Sequence, residues 1–233
     1  MLAITNEVSL PTLAPIAGFL TLLELSIGTA LVAYVIDLLS RVGRGYVGST
    51  MVICAAVTGI TIWIGVNIPT DITLLHATIS EGALSSLLRW SAVFAGAALI
   101  SALFSSVGTD AARRVVGAVT LAIGAVCIGK AAVAFGPAFA SVASALAVFI
   151  PGTLVTGTAL AGMLLGHWYL VAPSLSFRPL RQMVTMLLGA VAIEAAILIA
   201  VVVAASPAAR DQLIGGYALP FWLLVVGSGI VFT

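Results

Sequence analysis

Charge is what this chain has least of. Nine basic and eight acidic side chains serve 233 residues, 7% of the total, where soluble domains carry roughly a quarter charged residues. So few charges cannot cover a water-facing surface, and a soluble domain is excluded. Lysine occurs once, at Lys130, and no basic tract exists, so nucleic acid is not an expected partner. Histidine occurs twice, at His76 and His167, and cysteine twice, at Cys54 and Cys127. No Cys-x-x-Cys-His, zinc or iron–sulfur spacing is present, and neither a phosphate-binding loop nor a dinucleotide motif; no metal is expected. Long polar stretches are also missing, so no loop is large enough to fold as a separate module.

What fills the chain instead is apolar: 62% of its residues are hydrophobic. Seven apolar runs, roughly 14–39, 46–68, 86–106, 112–135, 140–168, 180–205 and 216–233, are each long enough to cross about 30 Å of hydrocarbon as a helix. The expected fold is all-α, a polytopic transmembrane bundle of about seven helices forming one integral membrane domain. The segment before the first run holds Glu7 but no Lys or Arg, so the basic region of a signal peptide is missing and the first helix is expected to be retained.

Arginine sets the orientation. Arg41 and Arg44, Arg113 and Arg114, and Arg178 and Arg181 fall in turns separated by even numbers of crossings, whereas the opposite turns hold only Arg210. Basic residues gather on the cytoplasmic side, so the N-terminus is expected outside and the C-terminus cytoplasmic. A prokaryotic cytoplasmic (inner) membrane is the expected location.

Local signals sharpen the segments. Thr21, Glu24 and Gly28 share one face of the first helix, and Asp37 stands four residues before Arg41, the spacing of a surface ion pair. The connection from Thr70 to Ser85 carries Ile72, Leu74, Leu75, Ile79 and Leu84 and reads as a helix lying in the interface. Gly108-Thr109-Asp110 reads as a turn and helix cap. Ala118 with Ala122, and Ala125 with Gly129, have the small-xxx-small spacing that favours close helix packing. Pro151-Gly152, in the interior of the fifth run, is expected to kink it, and Pro179 suits a helix start. Cys54 and Cys127 lie at different depths, so they are expected as apolar fillers without a disulfide.

Ionisable groups inside the bilayer each cost about 2.5–3.5 kcal/mol on insertion scales, which makes them the first pointers to chemistry. Glu24 and Glu194 are the candidates for proton transfer. A carboxyl held between the cost of burial and the pull of a nearby cation is suited to taking up and releasing a proton. Lys130, Arg89 and His76, all towards the outer side, are candidate contacts for a quinone or a lipid. His167, beside Trp168 and Tyr169 at the cytoplasmic side, is a further one. The structural alternative for each is plain: a snorkelling cation, a hydrogen-bonded carboxyl, or a member of an aromatic belt. The two histidines lie on opposite sides and cannot clamp one haem between them. No lysine lies in the seventh run, so a retinal Schiff base there is excluded.

These features lead to an integral membrane subunit of a larger respiratory or redox complex, anchoring partner subunits and contributing a quinol site or proton path near the outer leaflet. Its expected companions are the lipid bilayer and other membrane or peripheral redox subunits. No intrinsic cofactor is expected beyond a quinone or quinol and bound lipids. Two alternatives stand beside it: a small proton- or ion-coupled transporter or channel using Glu24 and Glu194, and a lipid-modifying enzyme using His167 and Arg178.

Overall fold

The computed structural model describes residues 10–40, 42–68, 73–74, 77–78, 80–139 and 141–204. They form an all-helical bundle whose six helices are each long and apolar enough to span a membrane, and the chain is a multi-pass membrane protein. The helices are α1 Leu10–Ser40, α2 Arg44–Val66, α3 Glu81–Val107, α4 Asp110–Phe135, α5 Val142–Val171 and α6 Arg178–Ala204. They match the first six apolar runs; the seventh, 216–233, lies outside the described residues. The chain divides into two compact units, residues 1–191 and residues 192–233. Of the second, only the helical residues 192–204 are described.

The turns follow local chemistry. Gly43 enters α2 with φ 105°, a conformation open to glycine and costly for residues with a Cβ. Thr109 caps α4, its hydroxyl oxygen accepting from the Ala112 N–H at 3.2 Å, as the Gly108-Thr109-Asp110 sequence predicts. Ser141 caps α5 in the same way, accepting from the Ser144 N–H at 3.0 Å. Between α2 and α3 the expected interfacial helix is replaced by a short antiparallel pair, β1 Thr73–Leu74 with β2 Ala77–Thr78, in register Thr73 to Thr78 and Leu74 to Ala77. The interval between Pro69 and Ser80 is short for a stable helix, and its β-branched Ile72, Thr73, Thr78 and Ile79 favour extended backbone. Helix α3 accordingly starts at Glu81, one turn earlier than its apolar run.

Helix α1 is the hub of the first unit. It packs against α2, α4 and α5, and Phe19, Leu23, Ile27, Ala30, Ala33 and Ile36 along it are buried. Lipid tails are as apolar as leucine, so such helices associate through close packing and polar contacts rather than through release of water. Glycines make the approach close. Gly65 lies under the Phe19 ring, Gly124 faces Ile27 and Phe94, and Gly117 faces the Tyr34 ring. The tightest place is the crossing of α1 and α5. A Cβ built on Gly28 would collide with the Thr153 carbonyl oxygen, and one built on Gly157 would collide with the backbone of Gly28. The small-xxx-small residues Ala118 and Ala122 on α4 point outward instead, and the packed glycines of that helix are Gly117 and Gly124. Cys54 and Cys127 are buried and free, in keeping with their role as small fillers.

Gly28→Ala and Gly157→Ala should each destabilise the bundle by about 1–3 kcal/mol, the usual cost of overpacking. Gly59→Ala should leave stability unchanged, because nothing lies within 4 Å of the added methyl. Thermal unfolding of the three variants in mild detergent checks this. A Gly157→Ala protein as stable as the parent would contradict the backbone-to-backbone crossing.

Candidate functional site

Two polar centres stand out in the first unit, and both are built on α1. The first surrounds Glu24. Counted from Ala14, where the apolar span begins, Glu24 lies about 15 Å along the helix at 1.5 Å per residue. It is half-buried, and its carboxyl lies over Gly152: a Cβ built on that glycine would sit 2.7 Å from Glu24 Oε2 and 3.4 Å from Oε1. A methyl here would push the end of the Glu24 side chain aside. Pro151, buried beside it, has no N–H to give the carbonyl four residues back, so α5 is weakened at this level. One turn further along, α1 and α5 meet through Gly28 and Gly157.

Hydroxyl groups line the same region. On α5, Thr156 donates to the Gly152 carbonyl at 2.7 Å and Thr158 to that of Leu154 at 2.5 Å. These are the usual bonds of helical threonine to the preceding turn. Thr153 differs: it is 5% exposed and its Oγ1 has no hydrogen-bond partner. A buried hydroxyl left unpaired costs about 1–3 kcal/mol; Thr50 Oγ1 on α2 is buried and unpartnered as well.

The second centre lies at the arginine-rich end. Arg113, at the start of α4, donates through Nη1 to Asp37 Oδ2 at 2.5 Å, with both side chains more than nine-tenths buried. Arg113 also lies 3.9 Å from Asp110, which pairs with Arg44 at 2.8 Å. Arg44 donates further to the Gly108 carbonyl at 2.9 Å, and the Tyr34 hydroxyl donates to the Arg114 carbonyl at 2.9 Å. This corrects the expected surface pair of Asp37 with Arg41. Asp37 faces into the bundle and its partner is on α4, while Arg41 lies outside the described residues. Asp37 Oδ1 and Arg113 Nε remain without hydrogen-bond partners.

The other nominated residues fall apart spatially. Arg89 is exposed near the start of α3 and Lys130 is half-buried near the end of α4, both towards the end opposite the arginines. His76 lies outside the described residues. His167 is exposed near the last turn of α5, at the arginine-rich end and therefore remote from Lys130 and Arg89. Its surroundings are those of an anchored turn. The Trp168 ring packs over Gly45, Tyr169 donates to the Ser176 carbonyl at 2.6 Å, and its ring stacks on Phe177 with centroids 5.5 Å apart. Arg178 and Arg181 are exposed there. Glu194 belongs to the second unit, on α6, with its side chain exposed. A groove of about 500 Å³ runs between α2 and α3 at the arginine-rich end, bounded by Arg44, Gly48, Ser49, Leu103, Ser105 and Ser106 among others. None of the nominated residues borders it.

Removing one partner of a buried ion pair leaves an uncompensated charge. Asp37→Asn is therefore expected to destabilise the protein by about 3–5 kcal/mol, whereas the double replacement Asp37→Leu with Arg113→Met should return stability close to the parent value. Thermal midpoints of the single and double variants in detergent test this; an Asp37→Asn midpoint equal to the parent would contradict the buried pair. Compared with known protein families, curated proteins and solved structures, the chain has no match in any of the three.

Proposed function

We propose that this chain is a subunit of a larger complex in a prokaryotic cytoplasmic membrane and that it contributes a proton path through Glu24. The observation that carries the reading is the Glu24 carboxyl within an apolar span, lying over Gly152 beside the helical Pro151. An ionisable group inside the membrane is expensive, and the apolar packing around α1 would be served as well by leucine. Here the carboxyl instead lies against Gly152 of the opposing helix. A carboxyl given its own space beside a weakened helix is placed to exchange protons with groups that come and go.

The association with other subunits draws support from the outward faces. Gly162 and Gly166 on α5 have nothing within 4 Å of their Cβ positions, and Ala118 and Ala122 on α4 are exposed. Such pairs let a further transmembrane helix approach closely. A second reading, a self-sufficient proton- or ion-coupled carrier, is favoured by the α1–α5 crossing. Two helices that meet through glycine backbone beside a proline break can shift against each other without unlocking interdigitated side chains.

Isolation from membranes in mild detergent, with an absorption spectrum of the product, identifies companions and any chromophore they hold. The same material reconstituted in vesicles is expected to move protons, to lose about 90% or more of that activity with Glu24→Gln, and to keep part of it with Glu24→Asp, as suits a group acting by proton transfer. Flux by the chain without companions would favour the carrier. Full proton movement by the Glu24→Gln protein would overturn both readings.

A further inference from the structure

We propose that the Pro151-Gly152 level of α5, beside Glu24, binds a monovalent cation the size of sodium, held by the Glu24 carboxylate and the Thr153 hydroxyl. This rests on the reading of Glu24 as a group that changes its protonation state, and adds the ion that takes the place of the proton. Thr153 provides the independent observation. It is buried and its Oγ1 is unpartnered, although Thr156 and Thr158 on the same helix are satisfied by their own backbone.

Its position is set by the crossing. The Thr153 carbonyl oxygen meets Gly28, and Gly157, one turn on, meets the same residue, so Thr153 belongs to the stripe of α5 that faces α1. A helical Cα–Cβ bond tilts towards the helix N-terminus. From Thr153 that direction leads to the level of Gly152, where the Glu24 carboxyl lies. Hydroxyl and carboxyl thus share one layer.

The ligand class follows from these donors. Carboxylate and hydroxyl are hard oxygen ligands, which disfavour soft transition metals. Divalent ions commonly gather several carboxylates, and a single carboxylate suits a monovalent ion. No group of three or more His, Cys, Asp or Glu occurs among the described residues. Larger organic cations are excluded sterically, because the α1 and α5 backbones touch one turn away. As the ion enters, the Glu24 proton leaves, and the charge of the site is unchanged.

Dicyclohexylcarbodiimide modifies membrane carboxyl groups in their protonated form, and peptide mass spectrometry locates the product. The full chain in nanodiscs, treated at constant pH and ionic strength, should be modified at Glu24 in choline chloride and about fivefold less in sodium chloride, a difference well within what one weak ion site supplies. Thr153→Val should remain modified in both salts, and Thr153→Ser should restore protection by sodium. Equal modification of the parent protein in both salts overturns the cation site and leaves the proton reading standing. No modification of Glu24 in either salt overturns both. Undiminished sodium protection in Thr153→Val removes Thr153 from the site and overturns the proposal as stated.

Discussion

The contact between Gly28 and Gly157 governs the middle of this protein. Where two helices meet without side chains between them, their backbones come as close as helices can, and neighbouring residues are brought near one another. Glu24 lies one turn from Gly28, and Gly152 lies five residues before Gly157, so the crossing brings carboxyl and glycine face to face. In a bilayer the apolar residues around them supply little net force, because lipid would receive them equally well. Shape is what remains. The close contact of glycine with glycine does here what the release of water does in a soluble core.

The arginine-rich end is built on a different principle. There a buried guanidinium and carboxylate join α4 to α1, and the surface pair of Arg44 with Asp110 extends the network to α2. A buried pair contributes modestly to stability when intact and is severely costly when broken. Its effect is to specify which helices meet and at what height. The hydrogen bond between Ser40 and Gln182 brings the start of α6 to the same end. One end of the bundle is therefore pinned by charge, and the middle by close contact. The groups suited to exchange lie in the second region, where α5 is weakened by proline.

Much of the fold was legible in composition and run length. Six apolar runs became six helices, and Thr109 capped the helix its sequence announces, while α5 runs uninterrupted through Pro151-Gly152. The loop after Pro69 was misread because its leucines and isoleucines suit an interfacial helix as well as an extended pair, and chain length decided between them. At the site, the single face holding Glu24 and Gly28 could be read from helical spacing. That this face meets Gly152 could not, since sequence gives no helix adjacency. For Asp37, proximity in sequence to Arg41 outweighed the better clue. Arg113 and Arg114 are adjacent on a helix and point about 100° apart, so the two cannot both face outward to the same degree, and an inward arginine needs an inward acid. The same lack of adjacency explains why Ala118 and Ala122 looked like packing residues and prove to be exposed, while Gly117 beside them is buried.

The account stands on Glu24 changing its protonation state while the protein works. Infrared difference spectroscopy of the native assembly in membranes, with glutamate isotopically labelled, reads this directly. A carboxylic acid band that rises and falls on energisation, and that vanishes in Glu24→Gln, is the predicted result. A Glu24 carboxyl that holds one state throughout would contradict the account.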